Sequence, residues 1–220
     1  MNLVQIELTN HCNFDCKGCL RTEMTRPEGI MTVKTFFESL DICKKLKVPE
    51  VWLHNWGEPL LHPNLLGFVS TAKRYFKVGF ATNGSLLTHY ILRNLKLDYL
   101  DLSYNCSTPE DLKKDLTDLY FSANYSYNID CRFRSMVFSK EEYEQLNEKL
   151  KGYKVRWQRG MIYDPDWKRD VPCPAREKVC VIYWDGTKVP CCRMNNRADE
   201  KICIHCREVQ DDMPIPFKLC

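Results

Sequence analysis

Three cysteines stand close together near the start of the chain, in the run Cys12-Asn-Phe-Asp-Cys16-Lys-Gly-Cys19. A C-x3-C-x2-C spacing can present three thiolates to one centre. That centre is either an iron–sulfur cubane with its fourth iron left open, or a zinc ion with His11 as the fourth ligand. A second set, Cys173, Cys191, Cys203 and Cys206, supplies four thiolates, with Gly186 inside the first interval. Four thiolates close every iron of a cubane or complete a tetrahedral zinc site. Cys180, Cys192 and Cys220 are alternative ligands for this second centre. A thioredoxin-like reading of Cys203-Ile-His-Cys206 lacks the surrounding βαβ pattern. The chain has 13 cysteines in 220 residues, and seven of them fall in the final 50. The start, MNLVQIELTNHC, has no signal-peptide form, and a reducing compartment would not keep so many thiols paired, so ligation is the better use.

The elements that position these groups alternate in type. Val4 to Leu8 alternates as a short strand and leads directly into the first cysteine. Thr32 opens a helix with Phe36, Phe37, Leu40, Cys43 and Leu46 as its apolar face, stopped by Pro49. Val51 to Leu53 is a strand that runs into Asn55-Trp56-Gly57-Glu58-Pro59. Pro63 suits the first position of a helix reaching about Tyr75. Lys77 to Ala81 is a strand ending at Thr82-Asn83-Gly84, residues 86–95 are helical, and Tyr99 to Ser103 is a strand. Thr108 as cap, Pro109 at the first position and Asp111 in the first turn start a further helix. Residues 128–137 form the longest strand, Ser139 and Glu142 a capping box for a helix to Leu150, and residues 153–158 a sixth strand.

Strand and helix thus alternate six times in about 160 residues, the pattern of an α/β fold with a parallel sheet. Beyond it the chain becomes polar and rich in turns. Val179 to Trp184, Asp185-Gly186 and Thr187 to Cys191 predict a hairpin in a small cysteine-rich unit that leans on a metal centre for its stability. The expected division is residues 1–160 and 161–220.

Composition excludes several classes. Hydrophobic residues make up 44% and charged residues 28%, ordinary for a folded chain. The formal charge of +3 is too balanced to recruit nucleic acid or an anionic membrane. No apolar run approaches the ~20 residues needed to span a bilayer. The expectation is a cytoplasmic protein.

The three cysteines after the first strand, Gly57-Glu58-Pro59 after the second and Thr82-Asn83-Gly84 after the third, in that order, resemble the radical S-adenosylmethionine (radical SAM) family. The resemblance covers about residues 3–160. It implies a partial (β/α)6 TIM-like barrel, with Cys12, Cys16 and Cys19 holding a [4Fe–4S] cluster whose open iron takes the amino and carboxylate groups of SAM. The Gly57-Glu58-Pro59 run would receive the methionine ammonium. Ser103 resembles the polar residue that reaches the SAM ribose or carboxylate, and Arg132 or Arg134 the arginine that pairs with the carboxylate. The residue before the third cysteine is aromatic in most of the family but is Gly18 here, so Phe14, Asn105 or a later backbone segment would contact the adenine instead.

Cys173, Cys191, Cys203 and Cys206 resemble the twitch module, a shortened SPASM extension holding an auxiliary [4Fe–4S] cluster suited to electron transfer. The implied reaction is reductive cleavage of SAM to methionine and a 5′-deoxyadenosyl radical, followed by hydrogen abstraction. The favoured outcome is net two-electron oxidation of a small-molecule alcohol, with an external reductant such as flavodoxin or ferredoxin. Ribosomal-peptide modification is the main alternative; because the chain starts at the barrel strand, a leader-recognition domain would have to be a separate partner. A degenerate iron–sulfur binding or electron-transfer protein, or a glycyl-radical activating enzyme, are the others.

Other residues have two readings each. Trp56 either faces substrate or caps the barrel mouth. His54 is a barrel histidine or a proton carrier. Tyr104 and Asn105 sit at the rim beside Ser103. Arg156, Gln158 and Arg159 end the last strand, where they would grip an anion or form rim ion pairs. Cys43 and Cys131 suit the core, and Cys106 borders the rim.

Overall fold

The computed structural model describes residues 3–17, 19–105, 108–137, 139–159 and 179–189, with the side chains at 20, 23, 136, 137, 157–159 and 179 not described. Six strands run parallel: β1 (Leu3–Ile6), β2 (Glu50–Trp52), β3 (Lys77–Thr82), β4 (Tyr99–Ser103), β5 (Asp130–Val137) and β6 (Val155–Arg159). Helices α1 (Val33–Lys45), α2 (Leu65–Ala72), α3 (His89–Leu95), α4 (Glu110–Phe121) and α5 (Lys140–Lys149) connect them. This mixed α/β arrangement of a parallel sheet flanked by helices is that of a partial (β/α) barrel.

Alternate strand residues do different work. Val4, Ile6, Val51, Val78, Phe80, Leu100, Leu102, Cys131 and Phe133 are buried and belong to one apolar core with Phe36 and Leu40 of α1. Phe36 stacks on Phe68 of α2 with ring centroids 3.9 Å apart. The intervening residues include Glu7, Trp52, His54, Tyr99, Asp101, Arg132 and Arg134, with the small Gly79 and Ala81 on β3. A parallel sheet covered on both faces is normally apolar throughout. The departure marks the inner face as the functional one.

Local signals explain most element ends. Thr32 caps α1 by accepting from Thr35 N, and Ser139 caps α5 by accepting from Glu142 N, as the capping box requires. Several expectations need correction. Phe37 is half exposed, so the buried stripe of α1 is Phe36, Leu40 and Cys43. Pro63 lies before α2, which starts at Leu65 behind Asn64. Thr108 does not cap α4; its Oγ1 accepts from Asn105 N (3.0 Å), and Pro109 holds the N-cap position. The third helix is short because Thr88 caps it, accepting from Ile91 N.

The predicted hairpin is present as β7 (Val179–Ile182) and β8 (Lys188–Val189), with Gly186 at φ +88° in the turn. It does not stand apart from the sheet. β7 runs parallel to β1, from Leu3 opposite Val179 to Ile6 opposite Ile182, giving one eight-stranded sheet in the order β6-β5-β4-β3-β2-β1-β7-β8. Cys180 is buried in the apolar core beside Cys43, so the structure gives no support to it as an alternative cluster ligand.

Candidate active site

The strand ends at the C-terminal face converge on one cavity of about 150 Å³. Cys12, Cys16 and Cys19 line it on the β1 side, with Phe14 and Lys17 between them. Gly57 and Glu58 enter from beyond β2, and Thr82 and Asn83 from the end of β3. Ser103, Asn105 and Arg134 complete the wall from β4 and β5. His54 and Trp56 also face this cavity. Strand ends distant in sequence therefore meet as they do in TIM-type barrels.

Of the expected site residues, Pro59 and Arg132 stand outside this lining. Pro59 is buried at the first position of a short helical turn, Pro59–Leu61, where its fixed φ suits it. Arg132 sits two residues below Arg134 on the same face of β5, and its Nε donates to Asp101 Oδ1 (2.5 Å). Cys173, Cys191, Cys192, Cys203, Cys206, Cys220 and Cys106, and the side chains of Gln158 and Arg159, lie outside the described residues.

The cysteine loop is fastened at its neck and at its far side. Thr9 Oγ1 donates to Gly29 O (2.8 Å), Asn10 Nδ2 to Pro27 O (2.9 Å), and Gly29 N to Asn10 Oδ1 (2.7 Å). Across the cavity Asn83 Nδ2 donates to Asn13 Oδ1 (2.9 Å), and Asn13 Nδ2 to Ser85 Oγ (2.9 Å), tying the loop to the Thr82-Asn83-Gly84 run. Gly57 packs so closely that an added Cβ would lie 2.1 Å from Thr9 O and 2.7 Å from His11 O. The next residue, Glu58, donates its N–H to His11 O (2.8 Å). Only glycine lets the second motif touch the first.

Glu58 is buried, and its carboxylate is held in place. Oε1 accepts from Thr82 Oγ1 (2.7 Å) and Leu60 N (3.0 Å), and Oε2 from Asn83 N (2.8 Å). Burial pushes its pKa up while these donors pull it down. A carboxylate has about four acceptor positions, so with three used, one remains for a cationic group in the cavity.

The thiols report the same need for positive charge. Burial raises Cys12, with the Glu58 carboxylate and Cys19 adding to it, and burial together with Cys19 and Cys12 pushes Cys16 to about 11. Three thiolates crowded here are stable only against a metal centre, whose charge deprotonates its ligands outright. His11, the other candidate ligand, has its Nδ1 3.2 Å from Glu28. Among the described residues no three Cys, His, Asp or Glu side chains are gathered as a single metal ion requires. Three thiolates, each able to bind a separate iron, are a donor set that fits a [4Fe–4S] cluster.

One group of side chains at the site escaped the reading of the sequence. Glu7, wholly buried after β1, accepts from Arg26 Nη2 (2.7 Å) and Asn55 Nδ2 (3.0 Å), while the Arg26 guanidinium lies 4.0 Å from the centre of the Tyr183 ring. The cysteine loop, the second motif and the β7–β8 turn therefore meet at one carboxylate. The available signal was a charged residue between Ile6 and Leu8 in an otherwise apolar strand; Asp101 between Leu100 and Leu102 gives the same signal.

His54 and His62 make stability depend on pH. Burial lowers both, and the guanidinium groups of Arg134 and Arg156 lower His54 further. In the unfolded chain each histidine takes up a proton near 6.5, which the folded chain refuses, so stability is lost as pH falls below that value. Each such histidine costs up to about 1.4 kcal/mol per pH unit below its unfolded value. Chemical denaturation at pH 7.5 and 5.5 should show a fall that His54→Phe reduces by about 1 kcal/mol; an undiminished fall would remove His54 from the account.

Residues 6–154 match the radical SAM superfamily model. The chain belongs to the radical SAM superfamily. It is 33% identical over 106 residues to the tungsten-containing aldehyde ferredoxin oxidoreductase cofactor-modifying protein of Pyrococcus furiosus, a match covering 47% of this chain and 30% of that one. It is 24% identical over 173 residues to the GTP 3′,8-cyclase of Campylobacter lari, covering 71% of this chain and 53% of that one. The matches thus span between about a third and a half of these curated relatives.

In fold it is similar to BtrN, solved in complex with AdoMet and 2-DOIA, with TM-score 0.58, 18% identity and coverage of 87% of this chain and 73% of BtrN. It is also similar to Streptococcus suis SuiB bound to S-adenosylmethionine, with TM-score 0.64, 14% identity and coverage of 86% and 60%. Family membership implies the SAM-binding cluster. No described helix is long and apolar enough to cross a membrane.

Proposed function

We propose that this chain is a radical SAM oxidoreductase that removes a hydrogen atom from a small molecule and completes a net two-electron oxidation. The observation that carries this reading is the meeting of Cys12, Cys16 and Cys19 with Glu58, Asn83, Ser103 and Arg134 around one cavity. When bound, a [4Fe–4S] cluster supplies the electron that splits SAM into methionine and a 5′-deoxyadenosyl radical, and an auxiliary cluster on Cys173, Cys191, Cys203 and Cys206 would accept the second electron of the oxidation. Glu58, with one acceptor position left, holds the methionine ammonium, and Arg134 on the opposite wall pairs with its carboxylate. Ser103 and Asn105 reach the ribose and adenine side, with Phe14 as an apolar contact. A soluble one-electron donor such as flavodoxin or ferredoxin would serve as reductant.

The protein's share of catalysis is placement. The loop ties at Asn13–Asn83 and Glu58–His11 fix the two halves of the SAM site before anything binds, which lowers the entropic cost of reaching a reactive geometry. BtrN's complex with AdoMet and 2-DOIA supports a small-molecule substrate. SuiB bound to precursor peptide SuiA keeps peptide modification as the second reading.

Anaerobic reconstitution with iron and sulfide counted per chain, followed by dithionite, SAM and a 5′-deoxyadenosine assay, tests the proposal. About eight irons with 5′-deoxyadenosine formed is the expected result. About four irons would remove the auxiliary cluster and the case for oxidation. No SAM cleavage, with or without candidate substrates, would overturn the reading in favour of a binding or electron-transfer protein.

A further inference from the structure

The inner face of the barrel is divided by charge. On the β1–β3 side the acidic groups are already matched: Glu7 pairs with Arg26, and Glu58 is held by three donors. On the β4–β6 side, among the described residues, Asp130 is matched by Lys154, and three arginines, Arg132, Arg134 and Arg156, accompany the one remaining carboxylate, Asp101. Strand register forces them together, since Asp101 lies opposite Arg132, Ser103 opposite Arg134, and Arg134 opposite Arg156. Asp101 is 1% exposed; its Oδ1 accepts from Arg132 Nε (2.5 Å) and its Oδ2 from Arg156 Nη1 (3.4 Å).

Those single bonds leave most of both guanidinium groups unused. Neither Arg132 nor Arg156 makes any other hydrogen bond among the described residues, and their side chains are 30% and 41% exposed. A guanidinium has five donors in a rigid fork suited to a carboxylate. Below them the Trp52 and Tyr99 rings stack at 5.9 Å, and Arg132 lies 5.5 Å from the Trp52 ring centre. Nearby, burial lowers the pKa of His54, and the Arg134 and Arg156 guanidinium groups lower it further.

We propose that Arg132 and Arg156, oriented by Asp101 and floored by Trp52 and Tyr99, form a substrate subsite for a carboxylate group, so that the molecule oxidised is a small carboxylic acid with a flat or apolar body. The subsite rests on the SAM site proposed above. With SAM in place, Glu58 and Arg134 are occupied by the amino and carboxylate groups of its methionine. Arg132 and Arg156 against Asp101 then leave a single positive charge. A carboxylate balances it, whereas a phosphate dianion would overshoot and leave a buried negative charge.

The test is calorimetric titration of the full chain, reconstituted with its clusters, with benzoate, its neutral isostere benzamide, and inorganic phosphate, each with and without SAM. Benzoate should bind and benzamide should not. Arg156→Gln, at a side chain exposed enough for the fold to keep the Arg132–Asp101 pair, should weaken benzoate about tenfold or more while SAM affinity stays unchanged. Circular dichroism confirms that the variant is folded, and Arg156→Lys should recover part of the loss.

Equal binding of benzoate and benzamide, tighter binding of phosphate, or undiminished benzoate binding by Arg156→Gln would each overturn the subsite. The SAM titration separates the two proposals. Benzoate binding without SAM binding would leave the carboxylate subsite standing and sink the radical SAM reading. SAM binding with cleavage but no benzoate selectivity would do the reverse.

Discussion

Cys16→Ala should abolish 5′-deoxyadenosine formation and lower the iron content by about four atoms per chain. Cys16 sits with Cys12 and Cys19 on one wall of the cavity, and its thiol is pushed to about 11 by burial and by its two partners. Two remaining thiolates cannot hold three irons of a cubane, and Asp15 is already turned toward Arg21 in an ion pair. The loss should therefore be of the whole cluster rather than of one bond. Cys43→Ala provides the contrast. That thiol, pushed to about 12, is buried in the core behind α1, so its removal should leave iron and SAM cleavage intact. Equal iron loss in both variants, or full cleavage by Cys16→Ala, would contradict the assignment.

Gly57→Ala should separate the two motifs that the SAM site requires together. The new Cβ would meet backbone oxygens of Thr9 and His11, at 2.1 and 2.7 Å, and backbone cannot rotate aside as a side-chain tip can. Overpacking in a tight site costs roughly 1–3 kcal/mol, and this one falls where nothing flexible can yield. Relief requires moving the Gly57-Glu58 segment away from β1, which breaks the bond from Glu58 N to His11 O and pulls the Glu58 carboxylate from Thr82 and Asn83. Denaturation should show the stability loss, and equilibrium dialysis at least a tenfold weaker hold on SAM. Gly67→Ala is the control, since a Cβ there meets nothing within 4 Å. Wild-type SAM affinity in Gly57→Ala would show that the close approach is dispensable.

The strands and their order were legible because each carries a short apolar run, and turn residues separate them. Tyr99–Ser103 falls on the expected boundaries. Cavity-lining positions were legible where a motif ends a strand, as at Gly57, Glu58 and Ser103. Choosing between Arg132 and Arg134 was not, because both project from one face of β5. Only depth along the strand separates the cavity wall from the pair with Asp101. The Glu7–Arg26–Tyr183 contact was invisible for another reason. It joins three segments far apart in sequence, and no local pattern encodes a distant partner. The docking of β7 on β1 was missed likewise: the Asp185-Gly186 turn announces a hairpin but not which edge it will join.

That docking has a consequence for how the chain is made. Parallel pairing of Leu3–Ile6 with Val179–Ile182 joins segments from opposite ends of the barrel sequence. During synthesis β1 pairs early with β2, yet its other edge stays bare until the hairpin emerges from the ribosome. Late, non-local closures of this kind are slow, and unpaired strand edges invite association between chains. The cysteine loop follows the same strand. Its neck at Gly29 is covered by the Trp184 ring, which would lie 2.4 Å from any Cβ added at Gly29. A nascent chain halted before Val179 would hold the whole radical SAM signature without this buttress. The order of translation thus places β1 docking, and with it a settled cysteine loop, after the emergence of Val179–Val189.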